Sequence, residues 1–104
     1  MQVIEGNKDN FESEVIKSKE KVLVDFNATW CGPCRMLGPV LEKVAKENDN
    51  FQIVSVDVDE EEKLAFEYRI SSIPCLVLIE DGKEVNRSVG FMNKDDIIDF
   101  VGEE

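Results

Sequence analysis

Hydrophobic residues run almost unbroken through positions 21–28, with Val22, Leu23 and Val24 in succession and Phe26 close behind. That is the pattern of a strand covered on both faces by helices. Residues 51–58 alternate instead, which puts Val54, Val56 and Val58 on one side of a second strand. Positions 75–80 and 84–89 read as two further strands, joined through Asp81-Gly82, a dipeptide suited to a tight hairpin. Residues 1–5 form a short strand candidate. Helical spacing fills the gaps. Phe11, Val15 and Ile16 follow a cap at Asn7 or Asp9, and Leu64, Ala65 and Tyr68 follow the acidic run at 59–62. Ile97, Ile98 and Val101 follow a capping Asn93. The longest helix, 33–48, buries Leu37, Val40, Leu41, Val44 and Ala45. Its outer face carries Glu42, Lys43, Lys46 and Glu47, spaced for i,i+4 pairs. Pro33 suits its first turn, whereas Pro39 predicts an interior kink eased by Gly38.

The predicted order is therefore βαβαβαββα, an α/β chain. Helical crossovers pair the early strands in parallel and the hairpin adds an antiparallel edge, giving one central mixed sheet with helices on both faces. Sites in such sheets lie beyond the carboxyl end of a central strand. Residues 21–28 end there, immediately before Trp30-Cys31-Gly32-Pro33-Cys34.

Composition narrows the range of functions. A chain of 104 residues makes one domain, burying roughly two-thirds of its unfolded surface without staples. Every apolar run is too short to cross a bilayer, and the first residues lack the basic start of a secretory signal, so the cytoplasm is the default expectation. Twenty-three acidic residues against twelve basic ones leave a charge of −11, which repels nucleic acid and anionic membranes and keeps the protein soluble. Histidine is absent, which excludes a Cys-His pair, a Ser-His-Asp triad and His-ligated metal. Three cysteines is an odd number, unlike a secreted disulfide framework.

A Cys-x-x-Cys pair in isolation is half a zinc site, a coincidence or a redox couple. Here its first sulfur falls at a helix start, where backbone N–H groups lack partners and the dipole favours negative charge. A thiol so placed ionises more readily, and the thiolate is the reactive form. The second sulfur lies one turn on, within reach of a small disulfide. The pair reads as a reversible dithiol/disulfide device.

Together, Val24-Asp25-Phe26, the Trp-Cys-Gly-Pro-Cys motif, Pro39, Ile73-Pro74, Asp81-Gly82 and Gly90 resemble the thioredoxin family in order and spacing, over essentially the whole chain. The resemblance implies the thioredoxin fold and a protein-disulfide reductase. Cys31 would attack a target disulfide, and the more buried Cys34 would resolve the mixed disulfide. Gly32 and Pro33 would tune the redox balance towards a reductant. Asp25, costly to bury unless satisfied or protonated, would accept the Cys34 proton. Trp30 would wall the site. Ile73 and a cis Pro74 would bare backbone for an extended target segment, and Gly90 would line the same groove. The resemblance also implies a chain without bound cofactor, acting as a monomer. Its partners would be disulfide-containing target proteins and a flavoprotein thioredoxin reductase.

Three positions depart from the family pattern. Cys75 stands where threonine is usual, either as a small inert buried residue or as a regulatory thiol. Ser55 replaces a lysine found beside the buried aspartate in many relatives, which removes one stabiliser of a charged Asp25. Asn27 replaces a second tryptophan. Three rival functions remain, of which an oxidase or isomerase role would use the same cysteine pair. Another is a metal module, for which Cys31, Cys34 and Cys75 supply at most three sulfurs. The third is a thioredoxin-fold subunit that binds a partner through the groove around Trp30 and Pro74.

Overall fold

The computed structural model describes residues 1–102; Glu103 and Glu104, the last two residues of the expected domain, lie outside the described residues. Five strands form one sheet in the order β1-β3-β2-β4-β5. They are β1 (Ile4–Glu5), β2 (Lys21–Asn27), β3 (Phe51–Asp57), β4 (Cys75–Glu80) and β5 (Lys83–Val89). β2 lies parallel to β3 and antiparallel to β4, so the sheet is mixed, as the order of elements predicts.

Strand alternation sorts the core into two layers. Leu23, Phe51, Ile53, Leu76 and Leu78 face α1 (Gly32–Glu47) and α3 (Lys94–Gly102). Val22, Val24, Phe26, Val54, Val56, Cys75, Val77 and Ile79 pack on the opposite face, with Phe11, Val15 and Leu64. Leu64 lies in α2 (Glu62–Glu67). Since side chains alternate with period two, odd positions of β2 and β3 belong to the α1 layer and even positions to the other. Asp25, Asn27 and Ser55 thus share the α1 face, a placement that governs the site.

α1 turns a stripe of Cys34, Leu37, Leu41, Val44 and Ala45 into the core. Pro39 lies within it and does not end it. Position 39 is exposed, so the Arg35 carbonyl that loses its i+4 donor there lies on the solvent side. The expected i,i+4 pairs on the outer face give way to a different bond. Glu47 pairs with Lys94 and ties α1 to α3, because both helices lie on one face of the sheet.

The first helical segment also differs from expectation. Residues Glu12–Ile16 wind as a wider turn closed by Lys17 N–H donating to the Glu12 carbonyl at 2.9 Å. Asn7 caps the preceding turn, accepting from Asp9 N–H at 2.8 Å and Asn10 N–H at 3.0 Å, while Asp9 caps nothing. The β4–β5 hairpin turns through Asp81 and Gly82, both with positive φ, 53° and 80°. A Cβ on Gly82 would meet the Ile16 carbonyl oxygen at 3.0 Å, so the turn needs glycine for space as well as conformation.

Candidate active site

β2 ends at Asn27 and the chain passes through Ala28, Thr29 and Trp30 into α1. Cys31 is the N-cap of that helix, with extended backbone (φ −90°, ψ 116°), and its sulfur accepts the Cys34 N–H at 3.2 Å. Sulfur here occupies the place that a serine or aspartate oxygen usually takes. Pro33 offers no N–H, and Arg35 N–H is engaged by the Cys31 carbonyl at 3.1 Å. The Cys34 amide is thus aimed at sulfur, and such a bond is stronger to a thiolate than to a thiol.

Cys31 and Cys34 form a disulfide, their Cα atoms 5.2 Å apart. The two sulfurs pack as one unit against Ala28, with Val58 and Ile73 alongside. A difference in burial between them does not appear: Cys31 is 5% and Cys34 6% exposed. Bonding separates them instead. Cys34 belongs to the buried stripe of α1, whereas the Cys31 sulfur holds the helix-start N–H and lies 3.9 Å from the Ile73 carbonyl oxygen. Gly32 and Pro33 between them are exposed.

The Ile73–Pro74 peptide is cis. Gly90, at φ 105°, donates its N–H to the Pro74 carbonyl at 2.8 Å, which brings the end of β5 beside this step. Trp30 is 69% exposed, and its indole N–H donates to Asp59 at 2.7 Å. Met36 and Phe91 are also largely exposed at this end of the sheet. Large apolar side chains are thus left in water around the cysteine pair. A cleft lined by Lys21, Asn50, Phe51 and Glu80 opens at the opposite end of the strands, away from the sulfurs.

Asp25 is 3% exposed, and its Oδ1 has no hydrogen-bond partner. Burial pushes its carboxyl up to about 7, against the opposing pull of the Asn27 amide. It lies on the face of the central strand that α1 covers. Cys75 is buried in the other layer, and desolvation raises its thiol further. The donor set does not fit a metal centre: two sulfurs are spent on one another and the third points to the opposite face. Among the described residues no group of three or more metal-binding side chains gathers.

These features reproduce the fold and disulfide that the sequence resemblance implied, and comparison with known proteins gives the same result. The thioredoxin family profile matches residues 2–103. The chain belongs to the thioredoxin family. It is 46% identical over 95 residues to the thioredoxin of Chlamydia trachomatis, covering 91% of each chain. It is 40% identical over 88 residues to that of Mycoplasmoides gallisepticum, covering 85% of this chain and 88% of the relative. Mouse mitochondrial thioredoxin is 41% identical over 93 residues, covering 88% of this chain and 56% of the relative. Like other thioredoxins the chain is a protein-disulfide oxidoreductase that needs no bound cofactor, since the Cys31–Cys34 pair itself stores the electrons. The zinc-module and binding-subunit readings are not favoured.

Two parts of the site are not visible as such in the sequence. Asp59 reads as part of an acidic helix start, yet it lies before α2 and holds the Trp30 indole. Ser55 reads as the loss of a positive neighbour of Asp25 and Asn27 as the loss of a tryptophan, yet the Asn27 amide bonds both Asp25 and Ser55. The Asn27–Ser55 and Trp30–Asp59 bonds leave no local signal, because they join residues 28 and 29 positions apart.

Proposed function

We propose that residues 1–104 act as one domain in which Cys31 is the attacking thiol, Cys34 the resolving thiol and Asp25 the proton acceptor. The N–H that Cys34 donates to the Cys31 sulfur carries this assignment. The Cys31 thiolate attacks one sulfur of a target disulfide and expels the other as a thiolate. Asp25 takes the Cys34 proton, and the new thiolate attacks the Cys31 sulfur, which releases the second target thiolate. Two electrons pass to the target and the pair is left oxidised. A flavoprotein thioredoxin reductase is the proposed source of the electrons that restore it. The proposed setting is the cytoplasm, and among the described residues no helix is long and apolar enough to cross a membrane.

Trp30, Ile73, Pro74 and Gly90 form the proposed target groove. The 3.9 Å approach of the Ile73 carbonyl to the Cys31 sulfur supports it, since a target strand bonded to that backbone would carry its disulfide to the thiol. Gly32 and Pro33 are the proposed redox-tuning residues. A Cβ at Gly32 would meet nothing within 4 Å, so packing does not account for the glycine. Substituting Trp30 by alanine removes the largest exposed apolar wall. KM for a disulfide-bonded protein should rise about tenfold, with kcat nearly unchanged. Steady-state kinetics checks this, and a fall in kcat alone would remove Trp30 from the groove.

For Cys75 the burial in the opposite layer supports an inert packing role over a regulatory one. Cys75→Thr should therefore lose activity to oxidant at the wild-type rate. Clear protection of the variant would establish Cys75 as a regulatory thiol.

A further inference from the structure

The Asn27 carboxamide, at the end of β2, reaches across to β3. Its Nδ2 donates to Ser55 Oγ at 2.8 Å, to the Asp25 carbonyl oxygen at 2.9 Å and to Asp25 Oδ2 at 3.3 Å. An amide nitrogen has two hydrogens, so two protons serve three acceptors. One hydrogen is spent on Ser55, which fixes the plane of the amide. The other is shared between the backbone and the carboxyl of Asp25. The contact to Oδ2 is the longest of the three, and a hydrogen bond to an ionised carboxylate is charge-assisted and about twice as strong as one to a neutral carboxyl. Because Oδ2 is already engaged and Oδ1 is free, Oδ1 is the oxygen left to take a proton.

We propose that Asn27, braced by Ser55, is a positioning residue that selects Oδ1 as the proton-accepting atom of Asp25 and sets the pH at which Cys34 can be deprotonated. The proposal rests on the reading of Asp25 as proton acceptor. It assigns to a neutral amide the support for a charged Asp25 that a neighbouring lysine would otherwise give. No ion pair reaches Asp25 among the described residues. The ionisable groups on the elements packed around it include Asp57 on β3, Cys75 and Glu80 on β4, and Glu42, Lys46 and Glu47 on α1, while Cys31 and Cys34 are joined as a disulfide. The charged side chains Arg35 and Lys43 on α1 and Asp95 and Asp99 on α3 are exposed. The Asn27 amide is thus the one directed hydrogen bond to the carboxyl among the described residues.

The test follows the Asp25 carboxyl by carbon NMR from pH 5 to 10 in the oxidised full chain, in wild type, Asn27→Leu and Asn27→Ala. Leucine fills the space of the amide and alanine empties it, but both lack the N–H. The midpoint should move to higher pH in both variants, by about half to one pH unit, a three- to tenfold gain in proton affinity. A midpoint that stays, or that moves to lower pH in either variant, overturns the proposal. The acceptor reading is tested separately by the pH dependence of mixed-disulfide release in Asp25→Asn. If that variant keeps the wild-type profile while the Asn27 variants shift the carboxyl, the acceptor role fails and the kinetic half of the proposal falls with it.

Discussion

Replacing Asp25 by asparagine should stabilise the folded, oxidised protein by up to about 4 kcal/mol at pH 8 and leave it nearly unchanged at pH 4. The folded carboxyl ionises at about 7, against 3.8 for an unburdened aspartate. Between those values the folded state keeps a proton that the unfolded state has lost. Stability therefore falls as pH rises, by about 1.4 kcal/mol per unit across a gap of about three units, and the loss is complete above about pH 8. Asparagine carries no charge, so the variant escapes the loss while keeping a polar group beside Asn27. Denaturant midpoints at pH 4 and pH 8 measure the difference. Equal stabilities at pH 8 would mean that Asp25 is solvated and ordinary, and so poorly suited to take a proton from Cys34. The same substitution should slow release of the mixed disulfide near neutral pH. A group kept at a cost to the fold and lost at a cost to turnover is a functional one.

Much of the fold was legible because it rests on local patterns. The unbroken apolar run in β2, the alternation in β3 and the Asp81-Gly82 turn each have one good structural solution, and the chain adopts it. The placement of Cys31 at a helix start was equally readable, since Pro33 and the following apolar stripe mark where α1 begins. What stayed hidden depends on register between distant segments. The Asn27 amide reaches Ser55 only because β2 and β3 pair in parallel with one particular offset. Asp59 reaches Trp30 only because the loop after β3 passes over the end of β2. The wide turn at Glu12–Ile16 is set by seating Phe11 and Val15 on the sheet, which spacing alone does not specify. The near-equal burial of the two cysteines also escapes the sequence, because closing the disulfide makes them one packing unit.

The largest effects are expected at the cysteines themselves, and the two substitutions should fail in different ways. In Cys34→Ser the Cys31 thiol still attacks, but no second thiol can release the target. A covalent adduct should accumulate through Cys31, visible as the summed mass of both proteins and dissolved by a small thiol. In Cys31→Ser no adduct should form, because the remaining thiol lies on the buried stripe of α1 and receives no helix-start N–H. Adducts through Cys34 in that variant would reverse the assignment of the two roles.

Reductase-coupled turnover of a disulfide-bonded protein, comparing the wild type with Cys31→Ser, tests the central claim most directly. Sustained oxidation of the electron donor by the wild type, and none above background by the variant, is the predicted result. Turnover by Cys31→Ser at the wild-type rate would show that electrons reach the target without the Cys31–Cys34 couple, and would contradict the account.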